Sequence, residues 1–260
     1  MRRPVMSICL ALLGPGMAAA AEPALDPLNS PVWPSIRSKY LSGGPVVFDD
    51  RVKVSVPSIV ENQAQVPITA DARNLPGVKK LVIVADLNPI QHILTLTPAK
   101  ASAYISFRMK VEQGTPVRAA AQTEDGVWHV GGTYLSAAGG GCSAPALARG
   151  EARWSATVGQ AQGKVWRQPD GSARVRLRVR HPMDTGLARN NTPAYFIESL
   201  QMSGSSRDPL ATLELFEPVS EDPTVTLMLR LPATDASVDV EGRDNNGGIY
   251  KSSLPVAPQS

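Results

Sequence analysis

The sequence has 260 residues, with 26 Lys and Arg against 23 Asp and Glu, which gives a formal net charge of +3. So small an excess gives no support to nucleic-acid binding, which needs a concentrated positive surface. The length predicts two domains of about 100 residues each. Hydrophobic residues make up 43% of the chain, enough for a core in each domain, and 23 prolines and 21 glycines favour short strands and turns.

The first residues have the pattern of a secretory signal peptide. Arg2 and Arg3 precede an apolar run over residues 5–13, and Ala19, Ala20 and Ala21 form a small-residue cleavage site. The apolar run is too short to span a bilayer as a permanent helix. Cleavage after Ala21 would leave 239 residues with a formal charge of +1. We therefore predict an exported chain with no membrane attachment after cleavage.

Residues 26–41 are predicted to form a helix that packs on the first domain. Ser30 is a candidate cap and Pro31 suits the first helical position. Trp33, Ile36 and Tyr40 then share one face. The alternative is an extended tether.

Residues 45–130 have a strand pattern throughout. Val52, Val54 and Val56 alternate with polar residues, residues 80–85 form a more buried run, and Asp125-Gly126 is a hairpin turn. About seven short strands with turns between them predict an immunoglobulin-like sandwich.

A second strand-rich region begins near residue 164, after a polar, small-residue linker at 150–163. The predicted fold class is therefore all-β, with two immunoglobulin- or fibronectin-like sandwiches and a short N-terminal helix. We predict a signal peptide over residues 1–21, the first sandwich with its helix over 22–136, a glycine-rich arm and linker over 137–162, and the second sandwich over 163–260.

Cys142 is the one cysteine that remains after signal cleavage, because Cys9 lies inside the signal peptide. An unpaired cysteine in an exported protein suggests a reactive thiol or an intermolecular bond. A free cysteine is most often a small buried hydrophobe, but here its neighbours are Gly, Ser and Ala. Three glycines precede it, Gly139, Gly140 and Gly141, and such segments behave as flexible coil. The sequence thus predicts an exposed thiol on a mobile arm.

Arginines alternate with apolar residues in the second region, which places Arg174, Arg176, Arg178 and Arg180 on one face of one strand. This face is either a solvated outer surface or a docking surface for an acidic partner. Metal sites have little support, because His92, His129 and His181 are scattered and none follows Cys142 closely. We predict no metal and no other cofactor.

Several segments resemble a family of sulfur carriers. The first region resembles SoxY, the carrier subunit of bacterial thiosulfate oxidation, in Val-Pro-Ser-Ile-Val-Glu-Asn at 56–62, Asn88-Pro89, the hairpin at 125–126 and the glycine-rich cysteine segment. The second region resembles its partner SoxZ in His-Pro-Met-Asp-Thr-Gly at 181–186, Leu-Phe-Glu-Pro-Val-Ser at 215–220 and the segment 244–250. The fused order resembles SoxYZ-like carriers associated with quinoprotein dehydrogenases.

The resemblance implies a periplasmic, non-enzymatic carrier that holds a sulfur intermediate covalently on Cys142, with Gly139, Gly140 and Gly141 giving reach. Its partners would be periplasmic sulfur-oxidising enzymes or a quinoprotein dehydrogenase, and its two domains would pack on each other. The family's arm is a free C-terminus, whereas here it is internal and followed by Ser143-Ala144-Pro145. The alternatives are an adaptor for a quinoprotein dehydrogenase and a thiol enzyme that uses His129.

Overall fold

The computed structural model describes residues 25–257. The predicted signal peptide lies outside these residues. The described chain is built mainly from strands with a few short helices, which confirms the all-β prediction. No helix in the described part is long and apolar enough to cross a membrane.

The first half contains one helix and eight strands. Helix α1 spans Trp33–Tyr40, and the strands are β1 Val46–Phe48, β2 Lys53–Ser55, β3 Val66–Asp71, β4 Val78–Ala85, β5 His92–Pro98, β6 Ala101–Met109, β7 Thr115–Thr123 and β8 Trp128–Leu135. The predicted turn at residues 125–126 connects β7 and β8, which pair as an antiparallel hairpin.

The second half follows a short connector with little regular structure. The connector holds a 3-10 turn at Leu147–Gly150 and a one-turn helix, α2, at Trp154–Thr157. The strands are β9 Ala161–Arg167, β10 Ala173–Val179, β11 Ile197–Gly204, β12 Pro209–Leu215, β13 Thr224–Leu229, β14 Ser237–Asp244 and β15 Ile249–Ala257.

The strands form two layers that both run through the two halves. One layer has the order β1-β8-β7-β4-β5-β12-β11-β14-β15 and the other the order β9-β10-β13-β6-β3-β2, with β15 also pairing with β9. Strand β5 pairs with β12 and β6 pairs with β13, so each layer crosses from one half to the other through antiparallel pairing. The two domains therefore pack on each other edge to edge, as expected.

Alternation along the strands gives the layers one shared core. In β10 the apolar residues Val175, Leu177 and Val179 are buried while the arginines between them are exposed. In β6 Ile105 and Phe107 are buried in the same way. Buried residues from both halves form a single apolar cluster, because the sheets continue across the junction.

The N-terminal helix is shorter than the sequence predicted. It begins at Trp33, so the expected cap at Ser30 is wrong, and the Ser30 carbonyl instead accepts a turn hydrogen bond from the Trp33 amide. Trp33 and Ile36 are buried against Val84 and Trp128 on the outside of the first sheet. The predicted packing of this helix on the first domain is confirmed.

Candidate functional site

Cys142 is fully buried, with 0% of its surface exposed. The prediction of an exposed thiol on a mobile arm is therefore wrong for the structure described. The local sequence offered no apolar anchor, but the walls of the site come from distant segments. These walls are supplied by the loop after β4, the end of β6 and the loop after β10.

Two of the three glycines, Gly139 and Gly141, pack closely against neighbouring backbone, whereas Gly140 has open space beside it. A Cβ atom built on Gly141 would lie 2.1 Å from the Gln63 carbonyl oxygen and 2.7 Å from that of Val111. The Gly141 amide donates a 2.8 Å hydrogen bond to the Val111 carbonyl. Gly139 has a φ of 101°, a conformation that favours glycine. Here the absence of side chains permits close docking of the arm.

The Glu112 carboxylate holds the arm at the cysteine. Its Oε2 accepts 3.0 Å hydrogen bonds from the backbone amides of Cys142 and Ser143. Its Oε1 accepts a 2.9 Å hydrogen bond from the Ser143 hydroxyl. We call Glu112 and these three donors the Glu112 clamp. One carboxylate thus fixes two successive residues of the arm.

The sulfur lies between one donor and one acceptor. The Cys142 thiol donates to the Lys110 carbonyl at 3.6 Å, and Asn88 Nδ2 lies 3.7 Å from Sγ. The Asn88 amide is fixed at both ends, because Nδ2 donates to the Lys110 carbonyl at 3.0 Å and Oδ1 accepts from the Glu112 amide at 3.0 Å. The surroundings of Sγ therefore suit a neutral thiol.

Burial raises the pKa of the Cys142 thiol to about 12, and the charge of Glu112 acts in the same direction. The ammonium of Lys110 opposes this rise. Burial in turn lowers the pKa of Lys110 to about 8, and the negative charges of Asp184 and Glu221 oppose this shift. A thiol with so high a pKa carries almost no thiolate near neutral pH, and the thiolate is the nucleophile. In this buried position Cys142 is therefore a poor nucleophile.

The His-Pro-Met-Asp-Thr-Gly segment closes the site from the second half. The Thr185 hydroxyl donates a 2.6 Å hydrogen bond to the Cys142 carbonyl. The buried Lys110 ammonium donates to the Met183 carbonyl. His181 Nδ1 accepts a 3.0 Å hydrogen bond from the Met183 amide, which fixes the turn from within. Burial lowers the pKa of His181 to about 4, so this ring is neutral.

The chain is also held just after the arm. The Glu221 carboxylate accepts 2.7 Å hydrogen bonds from the amides of Leu147 and Ala148, at the start of the 3-10 turn. Arg149 forms a 2.5 Å ion pair with Asp184. The arm is therefore fastened on both sides, to β8 before it and to the second half after it.

The four predicted docking arginines fall into two groups. Strand β10 ends at Val179, so Arg180 lies beyond it. The prediction that all four arginines lie on one strand is therefore wrong for Arg180. Arg178 and Arg180 both pair with Asp222, and Arg180 also pairs with Glu151. Arg174 and Arg176 are exposed on the outer face.

His129 is not placed to activate the thiol. Its Nδ1 lies 2.8 Å from Asp49 Oδ2, on the pair of strands at the far edge of the first sheet. Within residues 25–257, no cluster of three His, Cys, Asp or Glu residues with metal-site geometry is found.

Sequence reasoning missed the residues that build this site. Asn88 and Thr185 lie in segments that carried the family resemblance, so that signal was available for them. Lys110 directly follows the buried, alternating strand β6, where a lysine is unusual. Nothing in the sequence around Glu112 signals its role, because its partners are thirty residues away.

Two family models match the chain. The model of SoxY, sulfur oxidation protein, matches residues 37–142, and the model of SoxZ, sulphur oxidation protein, matches residues 164–255. The chain is a SoxY–SoxZ fusion. The SoxY match ends at Cys142 itself, and residues 143–163, which hold the second fastening of the arm, lie between the two matches.

Solved structures give weaker likenesses to this SoxY–SoxZ chain. The sulfur carrier protein SoxY from Chlorobium limicola f thiosulfatophilum is 20% identical, with 40% of this chain and 92% of that chain covered and a TM-score of 0.34. A glycosyl hydrolase family 2 member from Bacteroides cellulosilyticus DSM 14838 is 9% identical, covering 78% of this chain and 28% of that chain, with a TM-score of 0.23. Comparison with curated protein sequences finds no match.

Proposed function

We propose that this SoxY–SoxZ fusion is a periplasmic carrier that holds a sulfur intermediate covalently on Cys142 and presents it to partner enzymes. The observation that carries the proposal is the placement of Cys142 at the end of the SoxY match, on a segment held mainly by hydrogen bonds at the junction of the two halves. Periplasmic location is supported by the signal pattern at residues 1–21.

The thiol is unreactive while the arm is docked, and it reacts when the arm is released. In the docked state the cysteine is buried and its pKa is about 12, so attack on a sulfur compound is slow. Release exchanges the Glu112 clamp and the Thr185 bond for hydrogen bonds to water, so its free-energy cost is the net difference, about a few kcal/mol. The freed thiol regains an ordinary pKa near 8.5 and with it useful nucleophilicity.

The two fastenings limit how far the cargo travels. Cys142 follows Leu135, the last residue of β8, by seven positions and precedes Leu147 by five. An extended chain spans at most about 3.5 Å per residue, so the thiol moves no more than about 17 Å from the Leu147 anchor. The partner must bind a loop in which the chain both enters and leaves the cleft, so its cleft must be open rather than a narrow tunnel.

Loading requires an oxidant. Joining the Cys142 thiolate to thiosulfate forms one S–S bond and gives the thiosulfonate R–S–S–SO₃⁻, with release of two electrons. We assign these electrons to an oxidising partner protein, because Cys142 is the one cysteine outside the signal pattern and the chain therefore has no internal disulfide to accept them. Exchange with another thiol reverses such an adduct.

Mass spectrometry of intact protein tests the proposal. Protein isolated from the periplasm of thiosulfate-grown cells should carry a mass increase on Cys142 that a reducing thiol removes. Cys142→Ser should abolish both the adduct and thiosulfate turnover, whereas Ser143→Ala should retain the adduct. A bare thiol in the wild type, with normal turnover by Cys142→Ser, refutes the carrier role.

An adaptor for a quinoprotein dehydrogenase is the second candidate. It is favoured by the exposed Arg174 and Arg176, which form a positive surface suited to an acidic partner. An adaptor would be insensitive to Cys142→Ser and would lose function on reversal of the arginine charges.

A further inference from the structure

The outer face of β9 and β10 carries cations that the fold leaves uncompensated. Arg176 lies directly opposite Lys164, and Arg174 directly opposite Trp166. Lys164, Arg174 and Arg176 are exposed. Among the ion pairs formed within residues 25–257, none includes these three side chains, in contrast to Arg178 and Arg180. We call Lys164, Trp166, Arg174 and Arg176 the basic face.

The register of the basic face is unfavourable for the isolated protein. Like charges directly opposite each other on paired strands are destabilising. The other cross-strand neighbour of Arg176 is Thr226, which offers no charge. The Arg174 guanidinium lies 6.0 Å from the Trp166 ring, so a half-buried aromatic surface accompanies the cations. Arg and Trp are the residue types that most often dominate protein interfaces.

The basic face is continuous along the chain with the segment that contacts Cys142. Strand β10 leads into the segment 181–186, whose Thr185 hydroxyl binds the Cys142 carbonyl, and His181 follows Arg176 by five positions. At about 3.3 Å per strand residue, this separation is about 17 Å. A standard interface of about 800 Å² per partner measures roughly 30 Å across.

We propose that the basic face docks an acidic surface of the enzyme that loads Cys142. This inference rests on the proposed carrier function. A shallow depression of about 460 Å³ lined by Gln162, Trp166, Arg176 and Thr224 gives the contact its shape. Attraction between the two surfaces speeds encounter, and docking beside the arm leaves the loop free to enter the enzyme.

Loading kinetics test the proposal with one pair of variants. The substrate is the full exported chain, mixed with thiosulfate and a periplasmic extract of a thiosulfate-oxidising bacterium, and the initial rate of Cys142 adduct formation is read by intact mass. The Arg174→Glu/Arg176→Glu variant should load at least roughly tenfold more slowly at low salt, with the difference shrinking as salt rises. The matched control Arg243→Glu/Lys251→Glu makes the same change in net charge on the opposite sheet and should load at the wild-type rate.

Two further measurements separate docking from folding. The Arg176→Glu change places a carboxylate opposite Lys164, so the melting temperature of the double variant should stay level or rise. Its rate of alkylation by iodoacetamide should equal that of the wild type, because no enzyme is involved. If the wild type loads and the double variant loads at the same rate, the docking proposal is overturned. A loading rate of the double variant that is reduced equally at low and high salt also overturns it. Absence of loading in the wild type instead overturns the carrier function.

Discussion

The Glu112 clamp should control how often the thiol is available. Replacing Glu112 with Ala removes hydrogen bonds from the amides of Cys142 and Ser143 and from the Ser143 hydroxyl. Hydrogen bonds to charged groups contribute about 1.5–3 kcal/mol each, but Glu112 is half-buried and screened, so we take about 1 kcal/mol each. The total of about 3 kcal/mol raises the population of released arm roughly a hundredfold.

The assay is the rate of iodoacetamide labelling of the native protein. With rapid opening and closing, this rate is proportional to the released population, so Glu112→Ala should label roughly a hundredfold faster than wild type until release is no longer limiting. Glu112→Gln, which keeps one acceptor, should be intermediate. Glu61→Ala, an exposed carboxylate with the same charge change, should behave as wild type.

The pH dependence of labelling identifies the reacting state. If the released arm reacts, the rate rises with the pKa of an ordinary thiol, near 8.5, and then levels off. A rate that continues to climb towards pH 12 would mean that the docked thiol reacts, since burial places its pKa there. An unchanged rate for Glu112→Ala in a folded protein would refute the clamp.

Two other predictions concern the glycines and the histidines. Gly141→Ala should prevent docking, because its Cβ would meet the Gln63 carbonyl at 2.1 Å, and should speed labelling; Gly150→Ala, with open space at its Cβ, is the control that should not. Burial lowers the pKa of both His181 and His92 from 6.5 to about 4. Between these values the unfolded chain binds protons that the folded chain excludes. The free energy of unfolding in urea should therefore be greatest above pH 6.5 and should fall as the pH drops towards 4. The loss for His181 between pH 7.5 and pH 5 should be about 2 kcal/mol, and a His181→Gln variant that kept the full wild-type slope would contradict this.

The sequence predicted most of the strands because their signals are local. Alternation in β6 and β10 and the turn at residues 125–126 depend only on residues near each other in the chain. The pairing of β5 with β12 and of β6 with β13, which joins the halves, was not predictable. The residue pattern of a strand does not specify which distant strand it pairs with.

The sequence by itself determined that residues 25–257 contain one cysteine, that three glycines precede it, and that the chain is rich in strand patterns. Only the tertiary structure decided the state of that cysteine. The glycines permit either a slack arm or a closely docked one, and composition does not choose between them. The choice falls to Glu112, Asn88 and Thr185, which meet the arm from segments far away in the chain and bury its sulfur.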